Sequence, residues 1–447
     1  MNQPLKKAYF LSFCLIFLVF FGLKAEPGRA ALIRDSELEA GLLQLAGPLA
    51  REAGLSALSI RLILDPSYNA FVIDPRHIYL HSGVIVQAET VEELQGVLAH
   101  EIGHLAAGHI PRRSEAVREA NLATMLSALT AAAAAASGAG EAALGLMLGG
   151  SDQAKRRYLA RSRNDEAVAD EMALRLLDSQ QISAGGLTRL MRRMAAERAL
   201  PEASKTAYYR SHPGAAARLR HFEDHLAGSP WAAQPSPAGN RALFQRLKAK
   251  LQAWTEPPDL VLQRLAGEAG QLALYQLAIS HFRRGTLAEA RQLADQLQQL
   301  APQDPWFAEL AADIAFAAGD LPRAARQCKQ ALALSGEAVL VALGCGRILI
   351  ASGDRASLQQ AAMILSRAAD KDPRLAFLRR QQAIAFGRLG RLAEADLMLA
   401  EEALLLGDRQ QAARFAQRVL DRPDLAAEWA SRAADIQFLA EQGGQQK

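Results

Sequence analysis

Two histidines four residues apart carry the strongest chemical signal in this sequence. The segment His100–His104 reads His-Glu-Ile-Gly-His. On a helix, side chains four residues apart project from the same face, so both imidazoles can bind one metal ion. Glu101 lies beside them and can accept a proton from a water molecule that the metal activates. The pattern predicts a hydrolytic metal centre with His100 and His104 as ligands and Glu101 as the catalytic base.

A catalytic zinc site normally has three protein ligands, so a third must come from elsewhere in the chain. An extended spacing with a third histidine fails because position 110 is Ile110, and we interpret the neighbouring His109 as a structural residue. Glu166 and Asp170 lie four residues apart and therefore share one face of a second predicted helix. We predict Glu166 as the third ligand. Asp170 joins Glu101 in the predicted catalytic machinery by holding the second nitrogen of a ligand histidine.

Local patterns indicate the elements that position these residues. The stretch 90–109 is predicted to be a helix, with Thr90 as N-cap and Glu93 three residues later. Before it, 70–73 and 77–80 are predicted to form a β-hairpin around Asp74-Pro75-Arg76, and 58–64 a further strand. Residues 31–56 carry leucines at helical spacing and are predicted to form an amphipathic helix.

The C-terminal part of the sequence repeats. Gly285, Gly319 and Gly353 are separated by 34 residues, and Gly390 and Gly407 continue the series out of strict register. A 34-residue period with turn glycines is typical of tetratricopeptide repeats, which stack helix pairs into a solenoid. A generic helical bundle is the alternative. A Pro- and Ser-rich segment at 229–240 precedes the repeats and predicts a linker.

Composition excludes several classes of protein. Of 447 residues, 50% are hydrophobic and 22% are charged, so the chain is not disordered as a whole. The formal net charge of +4 is too small for a dedicated nucleic-acid binder. Three cysteines are too few for a disulfide framework. Cys328 and Cys345 can pair, but we favour the interpretation that they are two buried thiols in neighbouring helices.

The N-terminus is predicted to be an export signal. Two lysines precede an apolar run at 8–22 that is short for a membrane span, and small residues at Ala25 or Ala30 offer cleavage sites. An uncleaved anchor is the alternative. Residues 1–25 hold three lysines and no acid, so their removal lowers the net charge from +4 to +1. The alanine-rich stretch 119–150 is predicted to be a helical hairpin that is buried or touches a membrane surface.

The motifs together resemble a known family. His100–His104, Asn69-Ala70-Phe71, His81-Ser82-Gly83 and Glu166-x-x-x-Asp170 resemble the gluzincin peptidases related to HtpX and the CAAX prenyl proteases. The segment Leu32–Glu39, the export signal and the repeats are similar to the BepA-like (YfgC-like) periplasmic zinc metalloproteases.

The resemblance implies a mainly α chain, with an α+β protease domain that carries a small β-hairpin or sheet, followed by an α-solenoid of tetratricopeptide repeats. The expected bounds are 1–25 for the signal peptide, 26–228 for the protease domain, 229–240 for the linker and 241–447 for the repeats.

The resemblance also implies site residues and a function. Ser211-His212-Pro213 followed by Arg218 matches a family segment whose histidine lies over the metal, so His212 becomes a candidate fourth ligand and switch, or a transition-state stabiliser. The segment at Asn69 would be the edge strand on which a peptide lies, although Pro75-Arg76 replaces the glycine pair usual in the hairpin. One Zn²⁺ per chain is expected.

The implied activity is an exported zinc endopeptidase that acts in quality control and assembly of outer-membrane proteins. Its substrates would be misfolded or stalled outer-membrane proteins, and the repeats would bind these or the assembly machinery. One alternative is a chaperone-like adaptor whose metal site is latent and plugged by His212. A second is a membrane-embedded prenyl-protein protease, which the lack of several long apolar stretches disfavours.

Overall fold

A computed structural model describes residues 31–109, 163–201, 204, 206–212, 214–422 and 426–442. The predicted signal peptide and the predicted 119–150 hairpin lie outside these residues. Across the described ranges, no helix has both the length and the apolar character needed to cross a bilayer. The described chain is mainly helical and contains a small four-stranded sheet, which confirms the predicted fold class.

The described residues divide into two compact units, with the division between Leu251 and Gln252. The elements of the first unit are β1 (Ala31–Ile33), α1 (Ser36–Glu52), β2 (Ser59–Leu64), β3 (Ala70–Asp74), β4 (His77–His81), α2 (Ser82–Gln87), α3 (Val91–Ala106), α4 (163–179), α5 (Gly185–Ala196), α6 (Ala207–Ser211), α7 (Ala215–Gly228) and most of α8 (Ala238–Thr255). The predicted 26–228, 229–240 and 241–447 bounds stay a prediction, because compactness alone does not tell which part folds independently.

The sheet has the strand order β1-β2-β4-β3. Strands β2 and β4 run parallel, and the predicted hairpin of β3 and β4 is antiparallel, with Ala70 opposite Leu80 and Phe71 opposite Tyr79. In the described sheet β3 pairs only with β4, so it is an edge strand.

The predicted helix over 31–56 was wrong at its start. Residues Ala31–Ile33 form β1, which pairs with β2, and the helix begins only at Ser36. The side chain of Asp35 accepts a hydrogen bond from the backbone N–H of Leu38 at 2.9 Å and caps α1. An apolar triplet fits a strand as well as a helix turn, so the cap and the partner strand decide between them.

Helix α3 is the buried centre of the first unit. Thr90 caps it as predicted, since its hydroxyl accepts from the N–H of Glu93 at 3.3 Å. A Cβ on Gly103 would lie 2.7 Å from the backbone oxygen of Ala169, so α3 and α4 approach closely at this point. The close approach places the His100–His104 segment directly against the helix that carries Glu166.

The second unit confirms the repeat prediction. Its described elements are α9 (Pro258–Arg264), α10 (Gln271–Arg284), α11 (Leu287–Leu300), α12 (Pro305–Ala317), α13 (Leu321–Leu334), α14 (Val339–Ser352), α15 (Arg355–Lys371), α16 (Ala376–Arg388), α17 (Leu392–Leu405), α18 (Arg409–Leu420) and α19 (Ala427–Gln442). Gly285, Gly319, Gly353 and Gly390 have φ between 79° and 88° and lie in the turns inside four successive helix pairs. Gly407, also with φ 79°, lies between α17 and α18, which are in different pairs, so it breaks the 34-residue register.

Cys328 on α13 and Cys345 on α14 form a disulfide. The favoured interpretation of two free thiols was therefore wrong. The two helices are consecutive and antiparallel, and they bring the two Cα atoms to 5.1 Å, within the usual range for a disulfide.

Candidate metal centre

All six predicted site residues lie together in the first unit. Helix α3 carries three of them, α4 carries two, and one follows the end of α6. Each is at most 1% exposed: His100, Glu101, His104, Glu166, Asp170 and His212.

Four of these side chains point ligand atoms at a common point. The Nε2 atom of His100 lies 3.2 Å from Nε2 of His104 and 3.3 Å from Oε2 of Glu166, and Nε2 of His104 lies 3.4 Å from Oε1 of Glu166. His212 approaches with Nδ1, which lies 2.9 Å from Oε2 of Glu166 and 3.2 Å from Nε2 of His100. All four ligand atoms lie within 4.8 Å of one another.

These residues fit a bound metal ion. Ligands about 2.0–2.1 Å from a tetrahedral ion are roughly 3.3 Å apart, which matches the observed spacings. Imidazole nitrogens and a carboxylate oxygen are donors that zinc accepts. In addition, both carboxylate oxygens of Glu101 are buried and accept no hydrogen bond from the described residues, although Oε1 lies 3.5 Å from Nε2 of His212. A buried carboxylate left in this way is costly unless a ligand or water engages it.

Asp170 and Arg218 contact the ligand residues on the side that faces away from the common point. Oδ1 of Asp170 lies 2.9 Å from Nδ1 of His100, the nitrogen that faces away from the common point. Arg218 donates from Nε and Nη2 to the two oxygens of Asp170, each at 2.7 Å. Its Nη1 lies 3.0 Å from Oε2 of Glu166. The bidentate pair fixes the Asp170 carboxylate, which in turn fixes the His100 ring.

The charges of Glu166, Asp170 and His104 suit metal binding. His100, by contrast, must release a proton when a metal binds. Burial raises the pKa of both carboxyl groups, but the neighbouring imidazoles hold the pKa of Glu166 well below its usual range. Arg218 with His100 holds the pKa of Asp170 below its usual range. Both carboxylates are therefore ionised at neutral pH. Burial by itself would lower the pKa of His100, yet its hydrogen bonds with Asp170 and Glu166 raise that pKa to about 9. Burial holds the pKa of His104 well below its ordinary value, so this ring stays neutral.

The segment that carries His212 lies against the edge strand. The N–H of Tyr208 donates to the carbonyl of Tyr68 at 3.2 Å, and the Ser211 hydroxyl contacts Oδ1 of Asn69 at 3.3 Å. Nε2 of His212 lies 3.3 Å from the carbonyl oxygen of Ala70, the first residue of β3. The predicted edge strand and His212 are thus direct neighbours.

Sequence reasoning missed two residues of this site. His109, which we interpreted as structural, places Nδ1 at 2.8 Å from Nδ1 of His104. Tyr208 is fully buried, and its ring centroid lies 4.3 Å from that of His212. The only sequence signal for His109 was its closeness to the His100–His104 segment, and Tyr208 gave none.

Comparison with known proteins agrees with this geometry. Residues 33–226 match the family described as peptidase family M48, a range that includes every residue of the cluster. This part of the chain is similar to peptidase family M48. The match supports the prediction of a metallopeptidase, and similarity to the M48 family implies a bound metal ion.

Curated relatives carry related names. The chain is 26% identical to the Escherichia coli metalloprotease LoiP over 43% of this chain and 72% of the relative. It is 25% identical to the beta-barrel assembly-enhancing protease of Escherichia coli over 76% of this chain and 70% of the relative. A Vibrio cholerae protein, named as a candidate beta-barrel assembly-enhancing protease, is 30% identical over 30% of this chain. The chain spans only 28% of that relative.

Proposed function

We propose that the M48 domain is a zinc-dependent endopeptidase. In this proposal His100, His104 and Glu166 hold one Zn²⁺, and the convergence of their three ligand atoms is the observation that carries it. Bound zinc would polarise the peptide carbonyl and lower the pKa of a water molecule. The neutral His104 ring and the ionised Glu166 carboxylate have the protonation states that ligands need.

Glu101 is the general base of the proposed reaction. It adjoins a ligand histidine on α3, its two oxygens are buried and accept no hydrogen bond from the described residues, and Oε1 lies 3.5 Å from Nε2 of His212. Such a carboxylate can take the proton of the attacking water and pass it to the leaving amine. Asp170 orients His100 through Nδ1 and touches neither water nor substrate in this scheme.

His212 would keep the site latent until substrate displaces it. Support comes from Nδ1, which lies within 3.2 Å of both His100 and Glu166 and so can take the fourth ligand position. The contact of His212 with Ala70 places the same residue on the edge strand, where an extended peptide could add by backbone pairing.

The proposed substrates are misfolded or stalled outer-membrane proteins, cleaved in the periplasm. Two relatives whose names contain beta-barrel assembly-enhancing protease support this proposal. The solenoid of the second unit would bind these substrates or the assembly machinery, because stacked repeats form extended binding surfaces. Export would depend on the predicted signal at residues 1–25.

A chaperone-like adaptor is the second candidate, and the position of His212 in the ligand cluster favours it. In that case His212 would occupy the fourth ligand position permanently. The protein would then work only by binding other proteins through its repeats.

Proteolysis of casein distinguishes the two candidates. Glu101→Gln is expected to abolish cleavage while zinc stays bound, since the base is lost but the ligands remain. His212→Ala is expected to raise cleavage several-fold because the fourth position opens. Equal inactivity of the wild type and of both variants would contradict the endopeptidase and favour the adaptor. Cleavage unaffected by Glu101→Gln would contradict the assigned base.

A further inference from the structure

The ring of His104 also contacts a buried imidazole outside the ligand cluster, that of His109. Nδ1 of His109 lies 2.8 Å from Nδ1 of His104, and the two ring centroids are 5.0 Å apart at an angle of 70°. On its other side, Nε2 of His109 lies 3.7 Å from Oδ1 of Asp165. The side chains of His109 and Asp165 are 2% and 9% exposed, so water competes little for these contacts.

We propose that His109 is a positioning residue that holds His104 in the tautomer and orientation required for metal binding, with Asp165 behind it. This inference rests on the proposed function of the site, because it takes His104 as a ligand.

The protonation pattern follows from the atoms that face each other. Nε2 of His104 faces the common point of the cluster, so it needs a free lone pair to bind a metal. The ring proton must then be on Nδ1, where it is donated to Nδ1 of His109. His109 consequently carries its own proton on Nε2, the nitrogen that faces the carboxylate of Asp165. The 2.8 Å contact thus sets both tautomers, and the Asp165 carboxylate, 3.7 Å from Nε2, favours the proton on that nitrogen electrostatically.

The other ligand histidine has an equivalent support. Nδ1 of His100 lies 2.9 Å from Asp170, and Arg218 holds that carboxylate. Each ligand imidazole of α3 therefore has a buried polar partner on the nitrogen that faces away from the cluster. Partners of this kind fix the ring and raise the basicity of the ligand.

The chain turns sharply to bring His109 back to its partner. Helix α3 ends at Ala106, and Gly108 has φ 65°, a left-handed conformation that favours glycine. This turn allows the His109 ring to lie beside the His104 ring, five residues earlier in the sequence.

The test measures zinc affinity by competition with a chelator. His109→Phe keeps an aromatic ring but cannot accept a hydrogen bond, so zinc should bind about 10–100-fold more weakly. His109→Asn places an amide oxygen near the position of Nδ1 and should restore affinity to within a few-fold of the wild type. His221→Phe, on the half-exposed surface of α7, is the matched control and should bind zinc as the wild type does.

The variant Asp165→Ala provides a second measurement that leaves His109 in place. It should weaken zinc binding several-fold, less than His109→Phe does, and it keeps the inference testable if His109→Phe does not fold. Wild-type affinity in both His109→Phe and Asp165→Ala would overturn the inference, and so would an Asn variant as weak as the Phe variant. A wild type that binds no zinc would overturn the proposed function as well, whereas a zinc-binding wild type with unaffected variants would overturn only the role of His109.

Discussion

The site residues are held by a small network of buried charges. Asp170 is 1% exposed and Arg218 is 7% exposed, and the two form a bidentate ion pair beside Glu166. Removal of one member of a buried pair leaves the other charge uncompensated, which is more costly than the net contribution of the pair itself. Because the pair also orients His100, stability and metal binding are coupled at Asp170.

Asp170→Asn tests this coupling. The substitution removes the charge that faces Arg218, so the free energy of unfolding should fall by about 3–5 kcal/mol. Zinc affinity should fall about 10–100-fold because His100 loses its orienting carboxylate. Chemical denaturation and chelator competition measure the two effects. Glu171→Gln, an exposed neighbour on the same helix, is the control, and an Asp170→Asn variant that matches it in both measurements would refute the assigned role.

At the residue scale, the sequence could place two side chains together only where the residues lie close to each other in the chain. The helical period placed His100 and His104 on one face of α3, and it placed Glu166 and Asp170 on one face of α4. His212 could be placed only through the resemblance, since 112 residues separate it from His100 and no local pattern spans that distance. The contact of His109 with His104 could not be predicted because it depends on the turn at Gly108, which a motif spacing does not describe.

At the scale of elements, the site depends on how closely α3 and α4 approach. Gly103 lies within the His100–His104 segment, and an added Cβ would lie 2.7 Å from the Ala169 oxygen and 3.1 Å from its Cα. Both contacts are with backbone, which cannot rotate away as a side chain can. The sequence predicted both helices but not their close contact, and it predicted the hairpin but missed β1, whose partner strand lies about 30 residues away.

Gly103→Ala should therefore displace α4 from α3. We expect a loss of about 1–3 kcal/mol in the free energy of unfolding from overpacking, and weaker zinc binding because Glu166 moves with α4. Gly344→Ala is the matched control, since Gly344 lies inside α14 with no atom near its added Cβ. That control should gain about 0.5–1 kcal/mol from helix propensity. A gain of similar size at Gly103, with zinc affinity unchanged, would contradict the close-contact account.

At the scale of the whole molecule, the repeat period predicted the second unit well because each helix pair is built from local signals. The metal cluster lies entirely within the first unit. Zinc should therefore stabilise only the part of the chain that holds the cluster. If the predicted protease domain and repeat domain are separate, zinc should leave the stability of the repeat domain unchanged.

Differential scanning calorimetry with and without a chelator tests that division. Zinc at 100 times its dissociation constant should stabilise the metal-binding part by about 2.7 kcal/mol. We expect chelation to lower the midpoint of one unfolding transition and leave a second transition in place. If both transitions shift together, or only one exists, the two parts do not unfold as separate domains.

We propose that two imidazoles of α3 and one carboxylate of α4 hold a single zinc ion. Zinc content per chain, measured after purification without chelators, tests it most directly in the wild type, Glu166→Gln and the control Glu171→Gln. We expect one zinc per chain in the wild type and in Glu171→Gln, and a large loss in Glu166→Gln. Zinc retained equally by all three proteins, or absent from the wild type, would contradict it.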